Sequence, residues 1–147
     1  MTAQYSEILL HNGETLRMCN EPLARLLVQQ SVPWKFKKIT STALYRGYIG
    51  TWEIEGGRLY LKSMEEDDAS VDWKAIPFEQ VFPGFPDGIF AHWFTGELRC
   101  TRGKLVRRNP SYVYGDVYED DVYFSLRRGV VTGIRVVSNT QQAGVVS

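Results

Sequence analysis

The feature that most constrains the fold of this chain is a pattern in which an apolar strand, a glycine-containing turn and a returning apolar strand follow one another three times. The three copies run over residues 50–59, 96–105 and 122–131. Aligned on the turn glycine, their equivalent apolar positions are Trp52, Leu98 and Phe124, then Ile54, Cys100 and Leu126, and after the turn Leu59, Leu105 and Val131. Because alternate residues of a strand face opposite sides, the pattern predicts three β-hairpins whose apolar residues share one interior.

Turn residues elsewhere predict one more hairpin and the limits of the strands. Asn12 and Gly13 stand between two apolar runs, and both residue types tolerate the positive φ angles of a tight type I′ turn. The expected strands of the three repeated hairpins lie at about 44–55, 58–64, 89–101, 104–108, 122–127 and 130–137.

Two short helices are expected beside these strands. Asn20 is a suitable N-cap for a helix over about residues 21–30, whose first turn contains Pro22. The apolar side of this helix, spaced to pack on the sheet, consists of Leu23, Leu26 and Leu27. A second, shorter helix is predicted over about residues 76–82, because a proline follows its first residue and another proline ends it.

The expected fold is therefore α+β and β-dominated, with antiparallel hairpins in one sheet system or a partly open barrel, one helix packed on it and one short helix. The chain length fits a single domain over residues 1–147. The acidic stretch over 65–72 is poor in apolar residues and is expected to be a mobile loop. The tail over 140–147 has no pattern and is expected to fray.

Composition argues against a nucleic-acid-binding, membrane-bound or secreted protein. Lys and Arg together number 17, and Asp and Glu together also number 17, so no overall positive field attracts nucleic acid or anionic lipid. The segment over residues 1–10 lacks the basic and apolar regions of a secretion signal, and no apolar run is long enough to cross a membrane. We therefore expect a cytoplasmic protein that binds neither nucleic acid nor a membrane.

The sequence lacks the phosphate-binding glycine loops, nucleophile elbow and zinc-protease motif that mark common enzyme classes. His11 lies beside a turn, and His92 shares strand parity with Phe94, so a turn residue and a half-buried histidine are expected rather than a general base. Cys19 and Cys100 have no metal-ligand spacing and are expected to be reduced thiols, with a disulfide as the alternative. No catalytic residue, metal or cofactor is predicted, and the balance leans away from an enzyme.

Candidate binding residues lie on the strand face opposite the apolar residues. This face presents Glu53 and Tyr60 in the first hairpin, and Trp93 and Arg99 in the second. Trp, Tyr and Arg are the residue types that most often carry binding energy at protein interfaces. Together with a tyrosine-rich stretch downstream, the predicted binding patch consists of Glu53, Tyr60, Trp93, Arg99, Tyr114 and Tyr118.

Parts of this patch have alternative interpretations. Trp93 is either covered by another element, such as the helix over 21–30, or exposed for binding. Glu53 and Arg99 form a cross-strand ion pair if the two hairpins adjoin, and an exposed pair would contribute only about 0–1 kcal/mol. The rival to a flat patch is a pocket for a small ligand or a substrate, lined by Tyr48, Glu53, Trp93, Arg99, Tyr114 and Tyr118.

Three aromatic motifs accompany the hairpin pattern. Residues 41–54 end in Gly-Tyr-Ile-Gly-Thr-Trp-Glu-Ile, residues 90–99 read Phe-Ala-His-Trp-Phe-Thr-Gly-Glu-Leu-Arg, and residues 114–119 read Tyr-Gly-Asp-Val-Tyr-Glu. With these motifs the chain resembles a family of small uncharacterised bacterial proteins over about residues 5–139. In those relatives an Asp is usual where this chain has His92, which argues against a catalytic role for the histidine. The resemblance implies a bacterial, cytoplasmic protein and does not indicate a particular activity.

The sequence thus predicts a non-enzymatic protein-interaction module of a bacterium or its mobile elements, such as an immunity-type or inhibitor protein, that binds a protein partner. The alternative is a small-ligand-binding protein or enzyme with a polar-aromatic pocket around Glu53 and Arg99. A deep pocket in which both charges converge would favour the alternative, and a flat exposed surface would favour the module. The oligomeric state is left open.

Overall fold

The computed structural model of the protein describes residues 5–29, 48–68, 71–109, 111–112 and 114–140. Over these residues the chain forms nine strands and two helices. In chain order they are β1 (Ile8–His11), β2 (Glu14–Met18), α1 (Pro22–Gln29), β3 (Ile49–Glu55), β4 (Arg58–Asp68), β5 (Val71–Ala75), α2 (Phe78–Val81), β6 (Ile89–Phe90), β7 (Gly96–Arg107), β8 (Val117–Arg127) and β9 (Val130–Ser138).

The nine strands belong to one sheet in the order β3-β1-β2-β7-β8-β9-β4-β5, with β6 paired to β4. An additional pairing between β3 and β4 turns this sheet back on itself into a ring. The ring is only partly closed, because β4 and β9 are paired at a single position, Arg58 opposite Val130. β1 and β3 run parallel and the neighbouring pairs antiparallel. The expected β-dominated α+β fold with hairpins in one sheet system is confirmed.

Three of the four predicted hairpin turns are present. The turn between β1 and β2 has φ angles of 49° at Asn12 and 79° at Gly13, as a type I′ turn requires. The β8–β9 turn has the same conformation, with φ of 49° at Arg128 and 80° at Gly129. Two glycines with positive φ also connect β3 to β4. Local turn chemistry therefore determines these three hairpins.

The predicted hairpin centred on Gly103 is wrong. Gly103 lies inside a continuous β7, and its positive φ of 87° accompanies a register shift against β8 between Arg102 and Leu105. The glycine is thus part of a bulge, which accommodates a positive φ as readily as a turn does. Leu105, which the hairpin pattern places in the interior, is 40 % exposed.

The predicted interior residues do pack together inside the ring. Trp52, Leu98, Cys100 and Phe124 are fully buried, Leu126 is 4 % exposed, and Ile54 packs against the same core from a partly buried position. Helix α1 adds its predicted leucines, with Leu23 and Leu26 buried and Leu27 half-buried. The alternation of apolar residues is therefore a reliable guide to the core even where the hairpin assignment is not.

The start of α1 differs in detail from the prediction. The helix begins at Pro22, so Glu21 rather than Asn20 occupies the preceding position. The Asn20 side chain instead accepts a hydrogen bond from the backbone N–H of Arg99, over 2.7 Å between Oδ1 and N. This hydrogen bond therefore links the segment before α1 to β7. The second helix is found within the predicted 76–82 segment.

The described residues of the acidic segment, 65–68 and 71–72, belong to two paired strands and not to a loop. Strand β4 continues through Asp68, β5 starts at Val71, and Glu66 stands opposite Lys74. Backbone pairing between β4 and β5 outweighs the unfavourable composition, and Glu66 is only 4 % exposed. The predicted loop over 31–42 and the tail beyond residue 140 lie outside the described residues. Neither described helix has the length and apolar character needed to span a bilayer.

Candidate functional site

The structure separates the two charged residues of the predicted patch. Glu53 is on β3 and Arg99 on β7, and β1 and β2 lie between these strands in the sheet. Glu53 is 3.9 Å from the Lys62 ammonium, and the Arg99 guanidinium is 3.4 Å from the Asp121 carboxylate. The ion pair between Glu53 and Arg99, expected if their hairpins adjoin, does not form, because β1 and β2 separate β3 from β7.

Trp93 is covered rather than exposed. Its indole Nε1 donates a hydrogen bond of 2.8 Å to the carbonyl of Pro22 at the start of α1, and its ring lies edge-on to Trp52. The segment between β6 and β7 that contains Trp93 is a turn, so strand parity does not apply there. For the same reason His92 is exposed, contrary to the half-buried position that parity predicts. Trp93 therefore anchors the helix and is not free to bind a partner.

Tyr60 lies on the outer side of the β3–β4 hairpin, half-buried beside Phe90 with ring centroids 5.7 Å apart. The ammonium of Lys62 lies 5.1 Å from the centre of the Tyr60 ring. Glu53, which stands directly opposite Tyr60 in the β3–β4 register, belongs to the same small surface. This part of the predicted patch exists, but it is remote in the sheet order from the part that contains Arg99.

Tyr114 and Tyr118 meet in a small pocket beside β2 and β7. The Tyr114 hydroxyl donates a 2.7 Å hydrogen bond to a carboxylate oxygen of Glu21, and the guanidinium of Arg17 stacks 3.8 Å from the centre of the Tyr118 ring. The cavity measures about 50 Å³, a fraction of the several hundred Å³ typical of small-molecule sites. It is lined by Ser6, Cys19, Thr101, Tyr114, Gly115, Asp116 and Tyr118.

The thiol in this pocket is not set up as a nucleophile. Burial raises the pKa of Cys19, and the nearby positive charge of Arg99 only partly opposes that effect. Burial also raises the pKa of Cys100, which faces the core. Since the thiolate is the reactive form, both cysteines are expected to be inert at neutral pH. Both are free thiols, as expected from the sequence.

The polar-aromatic pocket of the alternative interpretation is not assembled. Tyr48 is 1 % exposed within the core, Trp93 is beneath α1, and Glu53 lies across the sheet from Arg99. A catalytic or ligand pocket needs polar groups that converge on one cavity. The residues predicted to line one pocket instead lie in separate parts of the structure.

A different feature, which sequence reasoning missed, is the outer edge of β9. The contact of β9 with the β3–β4 hairpin ends at Val131, whose backbone N–H donates to the carbonyl of Gly57 over 2.8 Å. From residue 132 to residue 137 no described strand is paired with the side of β9 that faces away from β8. We call this stretch the β9 edge. Among the described strands, none takes up its outward-facing backbone groups, and such groups can pair with a further strand.

The β9 edge also presents apolar side chains that belong to the core face. Ile134 stands directly opposite Phe124 on β8, and Val136 opposite Val122, so each pair shares one face of the sheet. Phe124 and Val122 are 0 % and 3 % exposed, whereas Ile134 and Val136 are 52 % and 49 % exposed. The interior face of the ring therefore continues onto β9, where no strand of the described ranges lies beside it beyond Val131.

A signal for this edge is present in the sequence of β9. The strand reads Val-Val-Thr-Gly-Ile-Arg-Val-Val-Ser and contains one charged residue, Arg135. Natural edge strands are commonly protected by several charges or by proline. Arg135 points to the outer face, where its guanidinium lies 4.1 Å from the centre of the Tyr123 ring and 3.4 Å from the Glu97 carboxylate. The apolar face of the edge is thus unprotected.

Comparisons of the chain with protein-family models, with curated proteins and with solved structures found no match.

Proposed function

We propose that this protein is a non-enzymatic interaction module, and that its binding element is the β9 edge, to which an extended segment of a protein partner adds as a further strand. The observation that carries the proposal is the exposure of Ile134 and Val136 on the face that they share with the buried Phe124 and Val122. An immunity-type or inhibitor protein would use such an edge against its target.

Strand addition suits the physical properties of this edge. Affinity would come from main-chain hydrogen bonds along residues 132–137, which do not depend on the side chains of the partner. The partner's apolar residues would cover Ile134 and Val136, and burying their exposed halves contributes about 1 kcal/mol each. Free strand edges of this kind are the surfaces at which folded proteins pair with other chains.

The structure favours this function over an enzyme with a central pocket. Glu53 and Arg99, the charges around which such a pocket would be built, lie on strands separated by two others. Each has an ion-pair partner on its own part of the sheet, Lys62 in one case and Asp121 in the other. Neither charge is placed to act on a shared ligand.

The proposal is tested with a photo-crosslinking residue introduced at Ile134 in the full chain, expressed in its native host. The matched control carries the same residue at Val106, an apolar position of β7 with a similar exposure of 43 %. We expect a cross-linked protein from position 134 and not from position 106. The recovered partner is then purified, and its complex with this chain is examined by amide hydrogen exchange.

Slowed exchange confined to β9 in the complex supports strand addition, as does loss of binding on Val136→Lys but not on Val106→Lys. Equal cross-linking from both positions, or a complex that leaves β9 exchange unchanged, would remove the basis of the proposal. Near-UV circular dichroism of each variant checks that the core is intact.

A further inference from the structure

Resting on the proposed function, we infer that the partner at the β9 edge is a second copy of this chain. Each copy adds its own β9 to that of the other in antiparallel orientation, across a two-fold axis perpendicular to the strands. Two ring-shaped sheets then become one continuous sheet, and the exposed apolar residues of both copies meet on its inner face. Such isologous pairing is the commonest symmetry among soluble oligomers.

The sequence of β9 is complementary to itself in one register. With the two-fold axis at Ile134, this residue faces Ile134 of the second copy, and Arg135 faces the second copy's Gly133. The apolar contact is then central. Each arginine lies opposite a glycine, which has no side chain to clash with it. An axis at Arg135 would place two like charges directly opposite each other, which is destabilising.

Electrostatics of the whole chain also permit self-association. The 17 basic and 17 acidic residues cancel, so two copies approach without long-range repulsion. The one charge on β9 is already compensated within its own chain by Glu97 and by the Tyr123 ring. The apolar face of β9 carries no ionic group that would select a foreign sequence over this one.

The size of the contact predicts a weak dimer. With the axis at Ile134, residues 132–136 of the two copies pair with each other over roughly 17 Å, because Val130 and Val131 already contact the β3–β4 hairpin. A contact of this length falls at the small end of specific interfaces. We therefore expect dissociation in the micromolar range, so that monomer and dimer exchange at cellular concentrations.

Sedimentation and cross-linking of the purified full chain test this inference. Opposed residues of an antiparallel pair have Cα atoms about 4.5–5.5 Å apart, within the range that a disulfide spans. Ile134→Cys should therefore give a disulfide-linked dimer under mild oxidation, whereas Val106→Cys should not. The unmodified chain, with its own Cys19 and Cys100, is the background for both. Sedimentation should show a concentration-dependent dimer of the unmodified protein.

Ile134→Lys would place two ammonium groups opposite each other, and we expect it to weaken the dimer by roughly 100-fold or more. Val136→Lys is a second variant in case the first disturbs folding, and Val106→Lys is the control. The inference is overturned by a chain that stays monomeric at about 100 µM and shows no Ile134→Cys dimer. It is also overturned by a dimer that both β9 variants leave unchanged.

These outcomes separate the inference from the proposed function. A monomeric chain that still cross-links a different protein from position 134 in its host would overturn the second copy as partner and leave the interaction module standing. A monomeric chain with no cross-link at position 134 would overturn both.

Discussion

Ile134 lies directly opposite Phe124 in the antiparallel β8–β9 pair, but Phe124 is fully buried and Ile134 is 52 % exposed. Opposed residues of two paired strands share a face, so the difference cannot arise from orientation. It arises because Phe124 has strands on both sides of it, whereas β9 leaves its β4 neighbour after Val131. This open side of the ring is the basis of both proposals made for the protein.

The indole N–H groups of Trp52 and Trp93 should contribute differently to the free energy of unfolding. Trp52 donates a 2.7 Å hydrogen bond to the carboxyl of Glu7, and both residues are 0 % exposed, whereas Trp93 donates to a backbone carbonyl from a partly buried position. We expect Trp52→Phe to reduce the free energy of unfolding by about 3 kcal/mol and Trp93→Phe by about 1 kcal/mol. Urea titration followed by circular dichroism measures both, and equal losses would contradict the assignment.

Equivalent glycines of the first and third hairpins should respond differently to alanine. A Cβ at Gly129 would lie 2.6 Å from the carbonyl oxygen of Ala91, whereas a Cβ at Gly57 would meet nothing within 4 Å. Both residues have positive φ, so Gly57→Ala should cost about 1 kcal/mol from backbone strain alone. Gly129→Ala should cost more than about 2 kcal/mol, because the Ala91 backbone must also move. Thermal unfolding of the two variants makes the comparison, and a larger loss for Gly57→Ala would refute it.

Stability should fall with rising pH above about pH 8.5, the region in which an unfolded cysteine ionises. Burial raises the pKa of Cys19 and of Cys100, so the folded chain keeps protons that the unfolded chain releases. Below that pH both states hold these protons and the thiols add no pH dependence. Above it, the free energy of unfolding should decline by up to about 1.4 kcal/mol per pH unit for each thiol.

The control for this pH effect is the double variant Cys19→Ser, Cys100→Ala, which retains the tyrosines and lysines that also titrate in alkaline solution. Urea titrations at several pH values between about 8 and about 10 should show a shallower decline for the variant. Parallel curves for the variant and the unmodified chain would mean that the thiols do not carry the effect.

The hydroxyl of Tyr114 should stabilise the start of α1. It donates to Glu21, the residue before the helix, and Tyr114 is held with a φ of 57° that few non-glycine residues adopt. Removing the hydroxyl in Tyr114→Phe should cost about 1 kcal/mol, because the Glu21 carboxylate loses this partner. Tyr112→Phe is the matched control, since Tyr112 is 66 % exposed and its change should be close to neutral. Chemical denaturation distinguishes the two, and an equally neutral Tyr114→Phe would show that the bond contributes nothing.

Most of the core could be predicted from the sequence, and most of the binding patch could not. Trp52, Cys100 and Phe124 were assigned correctly because alternation along a strand is a local property. Glu53, Trp93 and Arg99 were grouped because strand parity places them on the outer face, but Trp93 lies in a turn beneath α1, and β1 and β2 separate the strand of Glu53 from that of Arg99. The buried hydrogen bond from Trp52 to Glu7 joins residues 45 positions apart, and no spacing in the sequence indicates it.

Local chemistry in the sequence determined most of the strand segments outside the acidic stretch, where Asn12-Gly13 and Arg128-Gly129 turn the chain, and which side chains of each strand are apolar enough to face inward. The tertiary structure decided which strands are neighbours, that Gly103 forms a bulge within β7, and that no other described strand follows β9 past Val131 on its outer side. The division has a physical reason. A turn is stabilised by the few residues it contains, whereas the pairing of distant strands depends on which combination buries the most apolar surface and satisfies the most backbone groups at once.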